Sequence, residues 1–223
     1  MTDIKAVLFD CDGLMFNTEE VSQQMWKEEA SKYGETLSDA FFKAITGAKD
    51  GVDLLRFSSE TPHLSQIFEV MKKRRFDLDF WKSFYPDGLN EKGLVSLVTY
   101  LHENNIRIAV CSSSGYNYVQ TLLSTVSCDL KFDAIVGGDM VKHGKPAPDI
   151  FLLGADTLQV KKEECLVLED SKQGIIAAKN AGMHSVFIQD TIVPDAEMEQ
   201  YLDYQADNLG EVIDLFDKEF KNL

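Results

Sequence analysis

The sequence predicts a doubly wound α/β fold, a Rossmann-like parallel sheet with an α-helical cap domain inserted after its first strand. Three observations carry this expectation. Short apolar runs recur along the chain, segments of helical periodicity separate them, and one stretch of about 65 residues breaks the alternation. Strands that alternate with helices indicate parallel β-α-β units covered by helices on both faces. In such sheets ligands bind beyond the carboxyl ends of the strands. The residues just after each apolar run are therefore where chemistry is expected.

The first run, residues 5–10, reads KAVLFD, too short for a helix and ending on a carboxylate. Comparable runs fall at 106–111, 132–136, 165–168 and 185–188. Between them, Leu94, Leu97, Val98 and Leu101 recur at three and four residues, as on one buried helix face. Tyr118, Leu122 and Val126 repeat at four. Ile175, Ala178, Ala181 and Gly182 form a stripe of mostly small residues that lets a helix lie close to a sheet. Residues 19–84 lack a buried-strand pattern. Val21, Met25 and Trp26 predict one helix ending near Gly34, and Ser38 is placed to cap a second that holds Phe41 and Ile45 and ends at Gly47. Leu64, Ile67, Phe68 and Met71 predict another. The turn signal Tyr85-Pro86-Asp87-Gly88 closes the insertion. The expected division is a core of residues 1–18 and 85–223 and a cap of residues 19–84.

Composition narrows the function. The chain has 223 residues, enough for one large domain or a core carrying a smaller one. No apolar run reaches the roughly 20 residues that span a bilayer, and the apolar run near the amino terminus is too short for a signal peptide. A cytoplasmic protein is expected, and a monomer. A formal net charge of -15 argues against nucleic acid or an anionic membrane as partner. Cys11, Cys111, Cys128 and Cys165 form no Cys-x-x-Cys pair, and buried reduced thiols are expected. His63, His102, His143 and His184 lack metal-ligand spacing, so zinc is not expected.

Four strand ends carry reactive groups. The first ends in Asp10-Cys11-Asp12-Gly13; two acids so close repel unless a cation lies between them or one keeps its proton. An Asp-Gly turn with solvated acids is the plainer alternative. At the second, Ser112, Ser113 and Ser114 offer hydroxyls and free N–H groups that suit a phosphate oxygen, or simply a helix cap. The third, residues 143–149, carries Lys145 between a glycine and a proline, and its two prolines are expected to hold it extended. The fourth places Glu169 and Asp170 together, a donor set that suits magnesium or else a capped turn.

Taken together and in this order, FDCDGLMFNTE, AVCSSS, HGKPAPDIF and LVLEDSKQGIIAAKNAGM resemble segments of the haloacid dehalogenase superfamily over nearly the whole chain. The nearest patterns are those of β-phosphoglucomutase and the sugar-phosphate phosphatases. The resemblance implies a magnesium-dependent phosphatase acting on a small phosphorylated metabolite. It implies Asp10 as nucleophile, Asp12 as general acid and base, Ser112 and Ser113 at the phosphoryl group, and Lys145 steadying nucleophile and phosphate. It also implies Mg2+ held by Asp10, the Asp12 carbonyl, Glu169 and Asp170. Gly13 then turns the chain into a flap, residues 14–18, and Phe16, Gly47, Ala48 and Lys49 are candidate substrate contacts.

Two departures bear on the competing readings. A mutase of the β-phosphoglucomutase type uses a histidine where this chain has Ser22, and a cap arginine near Lys49 or Asp50, where none stands. Both weigh against a phosphomutase. A catalytically silent metabolite-binding protein is the alternative from another class, since such a protein can keep the fold while losing reactive groups.

Overall fold

In the computed structural model, residues 3–45, 54–84, 90–126, 130–189 and 194–220 are described. The turn signal at residues 85–88, together with Gly47, Ala48, Lys49, Asp50 and Cys128, lies outside them. The apolar runs form strands β1 (Ala6–Phe9), β2 (Arg107–Ser112), β3 (Ala134–Gly137), β4 (Cys165–Glu169) and β5 (His184–Ile188). A short sixth, β6 (Tyr204–Ala206), joins the edge. All pairings are parallel, in the order β3-β2-β1-β4-β5-β6. That is a doubly wound order whose direction reverses between β1 and β4, the crevice where such sheets bind ligands.

The strands read as continuous apolar runs because both faces of the sheet are covered. Val7 and Phe9 of β1 pack with Ile108, Val110, Leu166 and Leu168 on one face. Ala6 and Leu8 pack with Ala109, Cys111, Cys165 and Val167 on the other. Helices α5 (Leu94–Glu103) and α6 (Tyr116–Leu123) close the first face, together with the late helix α9 (Val212–Lys218). The second is closed by α7 (Asp149–Leu158) and α8 (Lys172–Ala181). All four apolar residues expected on α5 are buried. Val126 lies past the end of α6, so the four-residue repeat overran the helix. Gly182 ends α8 in the left-handed conformation, where the small stripe stops.

Between β1 and α5 the described chain is helical: α1 (Thr18–Ser31), α2 (Asp39–Ile45), α3 (Leu64–Arg74) and α4 (Leu78–Phe84). Asn17 caps α1 by accepting from the Glu20 N–H, and Ser38 accepts from the Phe41 N–H at 3.3 Å, the cap expected of it. Aromatic residues pack among these helices, with Trp26 edge-on to Phe41 at 5.1 Å and Phe41 edge-on to Phe57, of the short helical turn Leu54–Phe57, at 5.4 Å. Among the described residues, no helix is long and apolar enough to cross a membrane.

Two local expectations are corrected. The stretch around Lys145 is a turn and not extended: the Ala147 N–H donates to the Gly144 carbonyl at 2.9 Å, and the Lys145–Pro146 bond is cis. The flap also does not expose Phe16, which is fully buried with Leu14 and Met15. The segment folds back on itself, the Met15 N–H donating to Cys11 and the Gly13 N–H to Phe16, and this turns the apolar side chains into the core. Phe16 is therefore not placed to touch a substrate.

Candidate active site

The chemistry gathers where β1 and β4 end side by side. Asp10 follows β1 directly, and its N–H still donates to the Leu168 carbonyl at 3.0 Å, so the ladder fixes its backbone. Its side chain is nearly buried. Lys145, equally buried, reaches in from the turn before α7 and donates to Asp10 Oδ1 and, at 2.5 Å, to Glu169 Oε1. The other Glu169 oxygen accepts from the Ser171 N–H at 3.0 Å and from its hydroxyl at 2.8 Å. Ser171 in turn caps α8 by accepting from the Gly174 N–H. A fully buried carboxylate is thus completely hydrogen-bonded, as burial of a charge demands.

Two glycines make this packing possible. A Cβ on Gly174 would penetrate the Glu169 carboxylate, so only glycine lets α8 start this close to β4. Gly13 has φ +85° and faces Asp170 so closely that a side chain would collide with that carboxylate. Asp10, Glu169 and Asp170 consequently bring one carboxylate oxygen each to within 4.8 Å of one another.

The electrostatics are unbalanced. Burial pushes the Asp10 carboxyl up; Lys145 pulls it down and Glu169 raises it, with a result of about 7. Burial, then the charges of Glu169 and Asp10, hold Asp170 well above the usual carboxylate range. Burial works against the charge on Lys145, but Asp10 and Glu169 outweigh it and raise its pKa. Three carboxylates therefore share one ammonium. An all-oxygen donor set with surplus negative charge fits a hard divalent cation such as magnesium. Cys11, between the two aspartates, is no competing nucleophile. It is fully buried, and burial followed by the neighbouring charges of Asp12 and Asp10 lifts its thiol well above the ordinary value.

Asp12 stands slightly apart in a ring of hydroxyls. It accepts from Thr18 at 2.9 Å, from Ser114 at 2.7 Å and from Ser112 at 3.3 Å. Ser112 is buried and also accepts from the Ser114 N–H at 2.9 Å. Ser113 is exposed. Of the three serines expected to offer hydroxyls at this strand end, Ser112 and Ser114 reach Asp12 and Ser113 does not, while Thr18 was not among the expected site residues. Residues two apart on an extended chain share a side, which puts Ser112 and Ser114 together on Asp12. Thr18 carried no signal beyond its place at a helix start.

These residues lie inside a stretch, residues 7–188, that matches the family model for haloacid dehalogenase-like hydrolases. The chain belongs to that family. This hydrolase is 30% identical to the phosphorylated carbohydrates phosphatase of Thermotoga maritima, over 82% of its own length and 84% of that protein. It is 32% identical to β-phosphoglucomutase of Bacillus subtilis, covering 82% of each chain. In fold it is similar to CbbY from Rhodobacter sphaeroides in complex with phosphate. The TM-score there is 0.72 at 25% identity, over 94% of this chain and 96% of the other.

Proposed function

We propose that this hydrolase is a magnesium-dependent phosphatase that releases inorganic phosphate from a small phosphorylated metabolite, a sugar phosphate in the first instance, through a phospho-aspartate on Asp10. The observation that carries the reading is the pairing of roles at one crevice. Asp10 is buried and held by a lysine; Asp12, two residues on, is only partly buried and held by hydroxyls. One carboxylate is thereby fixed to attack and the other left able to exchange a proton.

In the first step an Asp10 oxygen attacks phosphorus, the ester P–O bond breaks, and Asp12 gives its proton to the departing alkoxide. In the second, Asp12 takes a proton from water as the water oxygen attacks phosphorus. The acyl-phosphate bond then breaks, releasing phosphate and restoring Asp10. Lys145 and the Ser112 hydroxyl oppose the charge on the phosphoryl oxygens. Asp10, Glu169, Asp170 and the Asp12 carbonyl would hold magnesium, whose contribution when bound is positive charge beside the transferring group. We assign residues 19–84 as the cap that closes over the substrate and excludes water, and residues 1–18 and 85–223 as the core. The net charge of -15 supports a small solute over nucleic acid as substrate.

The test is a panel of phosphorylated metabolites assayed with magnesium for inorganic phosphate. β-Glucose 1-phosphate with a trace of glucose 1,6-bisphosphate belongs in the panel, because a relative is named a mutase. Ser22 of α1 stands where a mutase of that pattern has a histidine, so phosphate should appear there without matching glucose 6-phosphate. Rapid isomerisation with little free phosphate would replace the phosphatase reading with the mutase one.

A further inference from the structure

Lys145 has to be aimed, and its own side chain does not aim it. An ammonium has three donors. Asp10 and Glu169 accept from it, which leaves a donor for a phosphoryl oxygen. A flexible four-carbon stem joins the ammonium to the backbone, so its direction depends on where that backbone is fixed. Its far end is walled in, for the fully buried Phe151 faces it at 5.0 Å from the ring centroid. Its root is held by hydrogen bonds at the surface. Within the turn the Ala147 N–H donates to the Gly144 carbonyl at 2.9 Å, and Gly144 has no Cβ to restrict it. Two further holds come from the helices on either side. On α7, Asp149 accepts from the His143 N–H at 3.3 Å and lies 3.0 Å from its Nδ1. On α8, the exposed Asn180 donates its side-chain amide to the Pro146 carbonyl at 2.9 Å, one residue past the lysine.

We propose that Asn180 is a positioning residue for Lys145: from the last turn of α8 it fixes the turn from which the ammonium reaches Asp10 and Glu169. The same helix is capped at its start by Ser171, whose N–H and hydroxyl hold the other Glu169 oxygen. One helix therefore sets both the root of the lysine and the carboxylate that receives its end. A small loss of aim matters because misplacement by about 1 Å can cost on the order of 10²-fold in rate. This inference rests on the reading of Lys145 as the group that steadies nucleophile and phosphate.

Asn180→Leu keeps the approximate shape and removes the donor; Asn180→Asp keeps shape and polarity and turns the donor into an acceptor. The control is Lys179→Ala, which removes a neighbouring exposed contact of α8 with Asp203. With magnesium and the ester turned over fastest in the metabolite panel, both Asn180 variants should lose about fivefold in kcat, the order of one hydrogen bond, with KM within about twofold of wild type. Lys179→Ala should lose nothing. Each variant is then combined with Lys145→Met. With the ammonium gone there is nothing to aim, so the Asn180 variants should cost no further activity in that background. The same cycle is read without turnover, as urea unfolding at pH 8. Lys145→Met should lower the midpoint less in the Asn180 variants than in wild type, because the ion pair is already loosened, and by the full amount in Lys179→Ala. An unchanged kcat in either Asn180 variant, losses that multiply with that of Lys145→Met, or midpoint shifts that add overturns the proposal and leaves the phosphatase reading standing. If wild type releases no phosphate from any ester, that reading falls, and the urea cycle alone decides whether Asn180 holds Lys145.

Discussion

Replacing Lys145 with methionine, similar in length and uncharged, tests the balance of charge in the crevice. The ammonium donates to Asp10 and Glu169, and all three side chains are nine-tenths buried or more. Breaking a buried pair by removing one partner costs about 3–5 kcal/mol, because the remaining charge has no water to turn to. That is a large share of the roughly 5–15 kcal/mol that holds a domain together. The sign of the pH dependence follows from Asp10. Its folded pKa lies above the unfolded value, so the folded state binds the extra proton, and stability falls as pH rises through the folded value. Moving a carboxyl from 3.8 to about 7 costs the metal-free wild type roughly 4 kcal/mol once the pH is above that value. Without Lys145, which lowers the Asp10 pKa, the cost grows and extends to higher pH. Lys145→Met should therefore be destabilised by about 3–5 kcal/mol at pH 8 and by clearly less near pH 5.5, where Asp10 protonates. Magnesium should recover part of the loss at pH 8. Urea unfolding at both pH values, with and without magnesium, reads all three effects. A loss independent of pH, or none at pH 8, would refute the argument that uncompensated carboxylates dominate this crevice.

Ser114→Ala should keep the fold and cost roughly 1–2 kcal/mol in the barrier for alkyl esters, measured as kcat, because it removes a 2.7 Å donor to Asp12. Gly174→Ala should destabilise by about 1–3 kcal/mol in urea and depress activity as well, since the added methyl displaces the Glu169 carboxylate that seats Lys145; unchanged melting and turnover would contradict the packing described. Chelation should abolish turnover, with recovery on adding magnesium, and the magnesium concentration for half-activity should rise as pH falls below about 7, where protons compete for Asp10. Full turnover after metal content has been brought to zero would remove magnesium from the account.

The parallel sheet was legible because a strand covered on both faces reads as a continuous apolar run, and five of its strands do. Tyr204–Ala206 escaped notice: with only Ala206 buried, it is an edge too short to leave a pattern. In the insertion, α3 was expected from Leu64, Ile67, Phe68 and Met71, whereas α4, which follows after a break of only three residues, was given no helical face of its own. At the site, Asp10, Asp12, Glu169 and Asp170 stood out as acids after apolar runs. Lys145 stood out through its prolines, although they turn the chain there instead of extending it. Thr18 did not stand out: its bearing on the site comes from long-range packing that brings a helix-start hydroxyl to Asp12, and that leaves no local signature.

The central claim is that the phosphoryl group passes through Asp10, and covalent trapping tests it most directly. The Asp12→Asn variant, in which hydrolysis of the acyl-phosphate is slowed, would be mixed with magnesium and a labelled phosphoryl donor, quenched in acid and digested. The account predicts label on the peptide that contains Asp10, released by hydroxylamine as an acyl-phosphate is, and none when Asp10→Asn is added. Label on another peptide, or turnover that persists in Asp10→Asn, would contradict it.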